Sequence, residues 1–220
     1  MTGPADGTYR ELLLGCGYTR DKRISTAEFS EANRARIDPL SVIEPWRDLY
    51  TLDCNLRCKA DIYCDLARGF WEPFKYSDHG SDAIDHRPPV TLKSNFFDEI
   101  HAYEVLEHLG AQGDVHLFMA QFTNLWDMLK PDGLLCATVP SRWSEWVWGD
   151  PSHTRVILPQ SLLFLQQPQY VLQCDGPKPT GMSDFRDFYK ADFDLLAAND
   201  NRRNFSFVLR AIKPSRCTLK

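Results

Sequence analysis

Glu11-Leu12-Leu13-Leu14-Gly15-Cys16-Gly17 decides how this chain is read. A charged residue opens a run of three leucines, and two glycines then flank one small residue. The pattern predicts a buried strand that ends in a sharp turn. Glycine matters there because a Cβ would hold a ligand away from the backbone. In an α/β protein a strand ending this way forms the floor for a nucleotide-like cofactor. A glycine pair also closes ordinary turns, so the weight falls on the order of the segments downstream.

That order is consistent. Leu49-Tyr50-Thr51-Leu52-Asp53 is a short apolar run ending in a carboxylate, and Ala60-Asp61-Ile62-Tyr63-Cys64-Asp65-Leu66 repeats the idea. Phe96 to Tyr103 reads as a further strand leading into Glu104-Val105-Leu106-Glu107-His108-Leu109. A helix is expected from about Val115 to Leu129. It is expected to break at Lys130-Pro131-Asp132-Gly133, before a strand over Leu134 to Val139 and then Pro140. Leu158 to Phe164 reads as a helix start with Pro159 in its first turn. Asp192 to Ala198 and Asn204 to Lys213 read as a hairpin around Asn199 to Arg203, because Asn and Asp tolerate left-handed backbone angles.

Composition bounds the rest. The chain has 220 residues, a net charge of -5 and seven cysteines. That length suits one domain with a sizeable core. No apolar run approaches a membrane span, and the N-terminus lacks a charged-then-apolar signal pattern. The scattered, odd-numbered cysteines form no C-x-x-C pair, and Cys54 and Cys58 lack a second pair to complete a zinc set. Reduced, mostly structural thiols in a cytoplasmic protein are expected. The acidic balance argues against a general nucleic-acid binder. Arg202, Arg203, Arg210, Lys213, Arg216 and Lys220 read as a solvated face.

In this order of segments the sequence resembles the class I S-adenosylmethionine-dependent methyltransferases, through L-x-L-G-C-G-like, strand-end L-D, D-L, V-L-E-H-L and L-K-P-x-G elements. The resemblance covers roughly residues 9 to 140, and more loosely the C-terminal strands. It implies an α/β, Rossmann-like three-layer sandwich with a mixed seven-stranded sheet and an antiparallel last strand. Residues 1–220 then form a single domain, with loop insertions near 18–48, 69–93 and 141–157. The chain departs from the pattern at Leu13, where an acid is frequent, and at Tyr18-Thr19-Arg20, which replace a third glycine. Arg20 in the third place also disfavours a nicotinamide enzyme, whose turn is G-x-G-x-x-G.

The resemblance implies S-adenosylmethionine as cofactor, with Gly15, Cys16 and Gly17 as its floor. It puts Asp53 on the ribose diol, since an ionised acid only accepts hydrogen bonds. It puts Asp65 and Leu66 on the adenine. Ala102, Tyr103 and Glu104 would meet the amino-acid tail through the backbone. Turn chemistry after a strand is the plainer reading of Asp53 and Asp65.

Methyl transfer mainly requires a nucleophile held in line, an orientation effect worth roughly 7–11 kcal/mol. The loop after the fifth strand holds Trp143, Trp146, Trp148, His153 and Arg155 at the edge where open α/β sheets bind substrates. The tryptophans are candidates to stack on a planar acceptor or a sugar face, or to pack as a lid. His153 is a candidate base and Arg155 a forked anion binder. A loop-ordering hydrogen bond and a structural ion pair are the plainer readings. Glu104-x-x-Glu107-His108 spaces three potential ligands along one helical face, with His153 as a further ligand. Some RNA 3′-end methyltransferases use a similar E-x-x-E-H. Helix initiation and packing explain the same letters, and the expectation is activity without metal dependence.

The expected function is methyl transfer to a small-molecule or glycan-like acceptor. A cofactor-binding regulatory or structural protein without turnover is the alternative from another class. An RNA-end methyltransferase would need a basic trough near Arg142, Arg155 and Arg202.

Overall fold

A computed structural model describes residues 7–24, 29–33, 45–67 and 92–218. Much of the expected 18–48 insertion and nearly all of the expected 69–93 loop lie outside the described residues.

Strand β1 spans Glu11–Leu14, and all four residues are buried. That is the signature of a central parallel strand covered on both faces. Strands β2 (Leu49–Asp53) and β3 (Ile62–Tyr63) follow, then β4 (Phe97–Tyr103), helix α1 (Val115–Met128) and β5 (Leu129–Pro140). After β5 come the short helices α2 (Trp146–Gly149), α3 (Pro159–Leu163) and α4 (Gln167–Gln173), then the hairpin of β6 (Phe193–Asp200) and β7 (Asn204–Ala211). The strands form one seven-stranded sheet in the order β3-β2-β1-β4-β5-β7-β6. The first five run parallel, and β7 pairs antiparallel with both β5 and β6.

Alternation along the strands builds two cores. Leu12, Leu14, Ile100, Ala102, Leu135, Ala137 and Val139 point to the larger one, where α1 adds Phe118, Met119, Phe122 and Leu125. Leu13, Tyr103, Leu134 and Cys136 point to the other face, where Ile24, Phe29 and Trp46 cover them. Full burial of a leucine or phenylalanine contributes about 1.5–3 kcal/mol, so the apolar run of β1 anchors both layers.

Two expectations need correction. Helix α1 does not break at Lys130–Gly133 before the strand begins. The strand starts at Leu129, which pairs with Phe97, and the ladder resumes only at Glu99 with Leu134. Residues 130–133 therefore bulge out opposite Asp98. Asp132 takes a left-handed φ of 63° there, and Lys130 Nζ holds Asp98 Oδ2 at 2.7 Å. The extra residues are absorbed as a bulge because the pairing on either side is fixed. The Glu104–Leu109 segment is likewise no α-helix: only a 3-10 turn forms, at Leu106–His108.

Candidate functional site

The parallel register brings the sequence-derived cofactor residues to one edge. Leu14 pairs with Leu52 and with Ala102. The Gly15–Gly17 turn therefore lies between the end of β2, carrying Asp53, and the end of β4, carrying Tyr103 and Glu104. Asp53 pairs with Tyr63, which places Asp65 and Leu66 just beyond. Gly15 and Gly17 have φ of 56° and 53°. A Cβ on Gly15 would stand 2.4 Å from Val105 Cγ2, while one on Gly17 would meet nothing within 4 Å. The first glycine is thus fixed by close contact, and the second leaves an open surface at the turn.

Asp53 organises that turn. Its Oδ2 accepts from the Gly17 N–H at 2.9 Å and its Oδ1 from the Asn55 N–H at 2.7 Å. Each carboxylate oxygen accepts more than one hydrogen bond, so a diol remains compatible with both contacts. Asp65 Oδ1 accepts from Ala67 N–H at 3.0 Å, a contact that matches the alternative of turn chemistry. Leu66 is buried, and its carbonyl accepts from Gln121 Nε2 at 3.4 Å. Tyr103 sends its side chain to the second face, so only its backbone stands at the edge. Cys16 is buried, and burial raises its thiol to about 11. It packs and does not react.

A second group of candidate residues grows from the turn after β4. Glu104 has a left-handed φ of 55°, and its N–H donates to Thr138 O at 2.9 Å. Non-glycine residues adopt that conformation at a cost of about 1–2 kcal/mol, and such strain clusters at functional sites. The turn carries Glu107 and His108 back against the loop after β5. Glu107 O accepts from the N–H groups of Thr154 and Arg155, both at 3.0 Å. Gln112 N–H donates to Thr154 O at 2.8 Å, and Val156 N–H to Gln112 Oε1 at 3.0 Å. Residues 152–156 are in this way stapled to residues 107–112.

Arg155 completes the staple. Its guanidinium donates to the carbonyls of Leu109 (3.3 Å), Ala111 (2.7 Å) and Asp114 (2.8 Å), and lies over the Phe118 ring at 4.8 Å. It is buried, and its Nε and Nη2 are spent on the chain itself. It also forms part of the wall of a cleft of about 250 Å³, lined by Val115, Phe118, Met119, Phe164 and Phe185 among others. Trp143, Trp146 and Trp148 are 60%, 67% and 75% exposed. They do not pack down as a lid; the Trp143 ring has Arg142 over it at 4.7 Å and Arg202 at 5.9 Å, which brings these two arginines together.

His153 joins Glu107 and His108. Its Nδ1 lies 2.8 Å from Trp146 O, and its Nε2 stands 3.9 Å from Glu107 Oε1 and 3.8 Å from Asp150 Oδ2. His108 meets His153 edge to face, with ring centroids 4.7 Å apart, and its Nδ1 lies 3.1 Å from Ser152 O. Burial, followed by the charge of Glu104, raises the Glu107 carboxyl well above the ordinary carboxylate range.

No protein-family model matches this chain, and no curated protein matches it. Solved structures do. A SAM-dependent methyltransferase from Archaeoglobus fulgidus is 15% identical, with 93% of this chain and 87% of that chain covered and a TM-score of 0.42. The N-methyltransferase NodS from Bradyrhizobium japonicum, in complex with S-adenosylhomocysteine, is 12% identical over 93% of this chain and 78% of that chain, at 0.40. The YcgJ protein from Bacillus subtilis is 15% identical over 93% and 89%, at 0.39. Five parallel strands with a terminal antiparallel hairpin inserted beside β5, and a glycine turn at the central edge, decide the architecture. The chain has a Rossmann-like α/β fold with a mixed seven-stranded sheet. The functional reading rests on this chain's own residues.

Within this fold, one feature was not visible in the sequence. On the second face Glu11 is fully buried, with Lys22 Nζ at 2.5 Å from its Oε1 and the Arg47 N–H on its Oε2. Glu99 Oε1 accepts from the Tyr9 hydroxyl at 2.6 Å, and its Oε2 accepts from His101 Nε2 at 2.9 Å. His101 Nδ1 then accepts from the Tyr103 hydroxyl at 2.7 Å. Burial pushes the His101 imidazole down to about 3, so it stays neutral. Lys22 and Tyr103 bind the segment after the glycine turn onto the sheet, where Lys22 also lies over the Trp46 ring at 4.7 Å. A helix spacing rule could not reveal this network, because its members come from four separate segments.

Proposed function

We propose that this protein is an S-adenosylmethionine-dependent methyltransferase acting on a small-molecule or glycan-like acceptor. The observation that carries the reading is the alignment of the Gly15–Gly17 turn, Asp53 and the end of β4 along one sheet edge, with Asp53 already tied to Gly17. Gly15, Cys16 and Gly17 would hold the cofactor through the backbone, and Asp53 would accept from its ribose. Asp65 and Leu66 would border the adenine, and the backbone of Tyr103 and Glu104 the amino-acid tail. When bound, the cofactor supplies an activated methyl group, so the chain's own task is orientation and exclusion of water.

The stapled loop supplies the acceptor side. Exposed Trp143, Trp146 and Trp148 offer flat apolar faces of the kind that grip a sugar ring or planar molecule, and the Glu104, Glu107, His108 and His153 group offers polar atoms to an acceptor hydroxyl or amine. Arg155 serves as a positioning residue for this loop. The burial of its guanidinium also weighs against the RNA-end alternative, which needed it on a basic surface.

The test is calorimetric titration of the protein with S-adenosylmethionine and S-adenosylhomocysteine, followed by incubation with methyl-labelled cofactor in a small-molecule extract. Saturable binding of both and a labelled, non-protein product are expected. Binding without any labelled product would favour the turnover-free alternative, and no binding would refute both.

A further inference from the structure

We infer that the cleft walled by Arg155 binds a small monocarboxylate whose apolar body is about the size of one aromatic ring. The cleft has a volume of about 250 Å³, and Val115, Phe118, Met119, Phe164 and Phe185 give it an apolar lining. None of these residues belongs to the proposed cofactor edge or to the Glu107, His108 and His153 group. The inference stands on their side chains alone, whatever reaction the protein performs.

The first observation is a buried guanidinium without a counter-charge. Arg155 is 8% exposed. Its Nε meets the Leu109 carbonyl, and its Nη2 meets those of Ala111 and Asp114. Carbonyls accept hydrogen bonds but carry no net charge. Among the described residues no carboxylate forms an ion pair with Arg155. Burial works against its charge, and the Asp114 carboxylate supports it only from beyond ion-pair distance while capping α1 through the Leu117 N–H. Burying a charge is costly unless an opposite charge meets it. The remaining nitrogen, Nη1, has no partner among the described residues and is not sealed from solvent. Its two N–H groups are open to a ligand oxygen.

The second observation is the chemistry of the walls. The guanidinium lies over the Phe118 ring at 4.8 Å, so the charge and the aromatic lining adjoin. Phe164 and Phe185 pack ring against ring, with centroids 5.5 Å apart. Gln112 is also in the lining; its Oε1 accepts from the Val156 N–H, which leaves its Nε2 as a further donor. Among the described residues the lining holds one positive charge and no acid. An anion with an apolar body complements all of these groups at once.

Size sets the class of ligand. A cavity of about 150 Å³ accepts benzene, so this cleft has room for a ring, a linking carbon and a carboxylate. It falls below the roughly 300–1,000 Å³ of sites for drug-sized molecules. A doubly charged group such as phosphate is matched less well, because only one formal charge awaits it. The site is also largely built in advance. Helix α1 carries Val115, Phe118 and Met119, and the hydrogen bonds of the staple fix Arg155. Arg155 thereby takes up the anion role expected from the sequence, through one nitrogen in place of the fork.

The experiment titrates the full chain, without cofactor, by calorimetry with phenylacetate, its neutral isostere phenylacetamide, and acetate. One phenylacetate per chain is expected. Phenylacetamide should bind about 10- to 150-fold more weakly, the range of a hydrogen bond to a charged group. Acetate has no apolar body and should show no saturable binding over the same range. Val115→Trp fills the cleft and should weaken phenylacetate at least about 10-fold. Arg155→Gln should erase the preference for the acid over the amide. Circular dichroism confirms folding. If either variant fails to fold, the contrast between acid and amide on the wild type still decides. Absence of saturable phenylacetate binding, equal affinity for acid and amide, or unchanged affinity in folded Val115→Trp would overturn the inference.

Discussion

Replacing Asp53 by Ala should weaken cofactor binding at least as much as it weakens folding. In the free protein its two oxygens serve the Gly17 and Asn55 N–H groups at 2.9 and 2.7 Å. Asn55 is exposed and Gly17 half-buried, so water can reach both donors when the carboxylate is removed. The stability loss is therefore that of ordinary surface-edge hydrogen bonds, about 0.5–1.5 kcal/mol each. A cofactor diol bound to the ionised carboxylate makes charge-assisted bonds worth roughly 1.5–3 kcal/mol. At about 1.4 kcal/mol per decade, affinity should fall about 10- to 150-fold. Calorimetry with S-adenosylhomocysteine, set beside urea unfolding of the free variant, separates the two effects. A ribose-deoxygenated analogue supplies the cycle: it should bind the wild type weakly and lose little more on Asp53→Ala. Unchanged affinity for the parent cofactor, or full additivity with the deoxygenated one, would refute the placement of Asp53 on the ribose.

Four further outcomes are expected. Gly15→Ala adds a Cβ 2.4 Å from Val105 Cγ2 at a φ of 56° and should cost at least about 2 kcal/mol, part of which Val105→Ala restores; denaturant melts check both. Glu11→Gln removes the carboxylate that Lys22 Nζ meets at 2.5 Å and leaves it Glu99 Oε2 at 3.9 Å, so a loss of about 1.5–3 kcal/mol is expected in urea; a loss under about 1 kcal/mol would show the pair is dispensable. Burial outweighs the oxygens around Lys213 Nζ and pushes its ammonium down to about 8. Between there and the unfolded value of about 10.4 the native state binds fewer protons, so stability should rise with pH across that window. Lys213→Met should flatten the rise in urea midpoints measured at both ends of the window. His153→Ala should lower turnover while leaving calorimetric cofactor affinity nearly intact, and a collapse of cofactor binding would make the loop a structural lid.

What was legible in the sequence is what local chemistry dictates. Strand β1 with its glycine turn, helix α1 with Asp114 capping through Leu117 N–H, and the hairpin at Asn201 each announce themselves within a short stretch of chain. The edge carrying Asp53 and Glu104 emerged once the strands were put in parallel order. The rest was hidden for a physical reason. Lys130–Gly133 looked like a break because Pro and Gly punctuate either a loop or a bulge, and only the pairing with β4 chooses between them. Arg155 looked like a forked anion binder because its letters carry no record of the three carbonyls that claim its fork. The closeness of His153 to Glu107 depends on main-chain bonds between segments more than forty residues apart.

That staple divides labour within a single loop. Its base, from Ser152 to Val156, is bound to the body of the protein, while its tip carries three tryptophans that touch water. Side chains of the tip can therefore change while the base stays put, provided the tip keeps the Trp146 main-chain carbonyl on His153 Nδ1. The molecule can exchange what it grips while keeping what it does, and a transplant of residues 142–149 between such proteins should carry acceptor preference with it and leave the polar cluster in register.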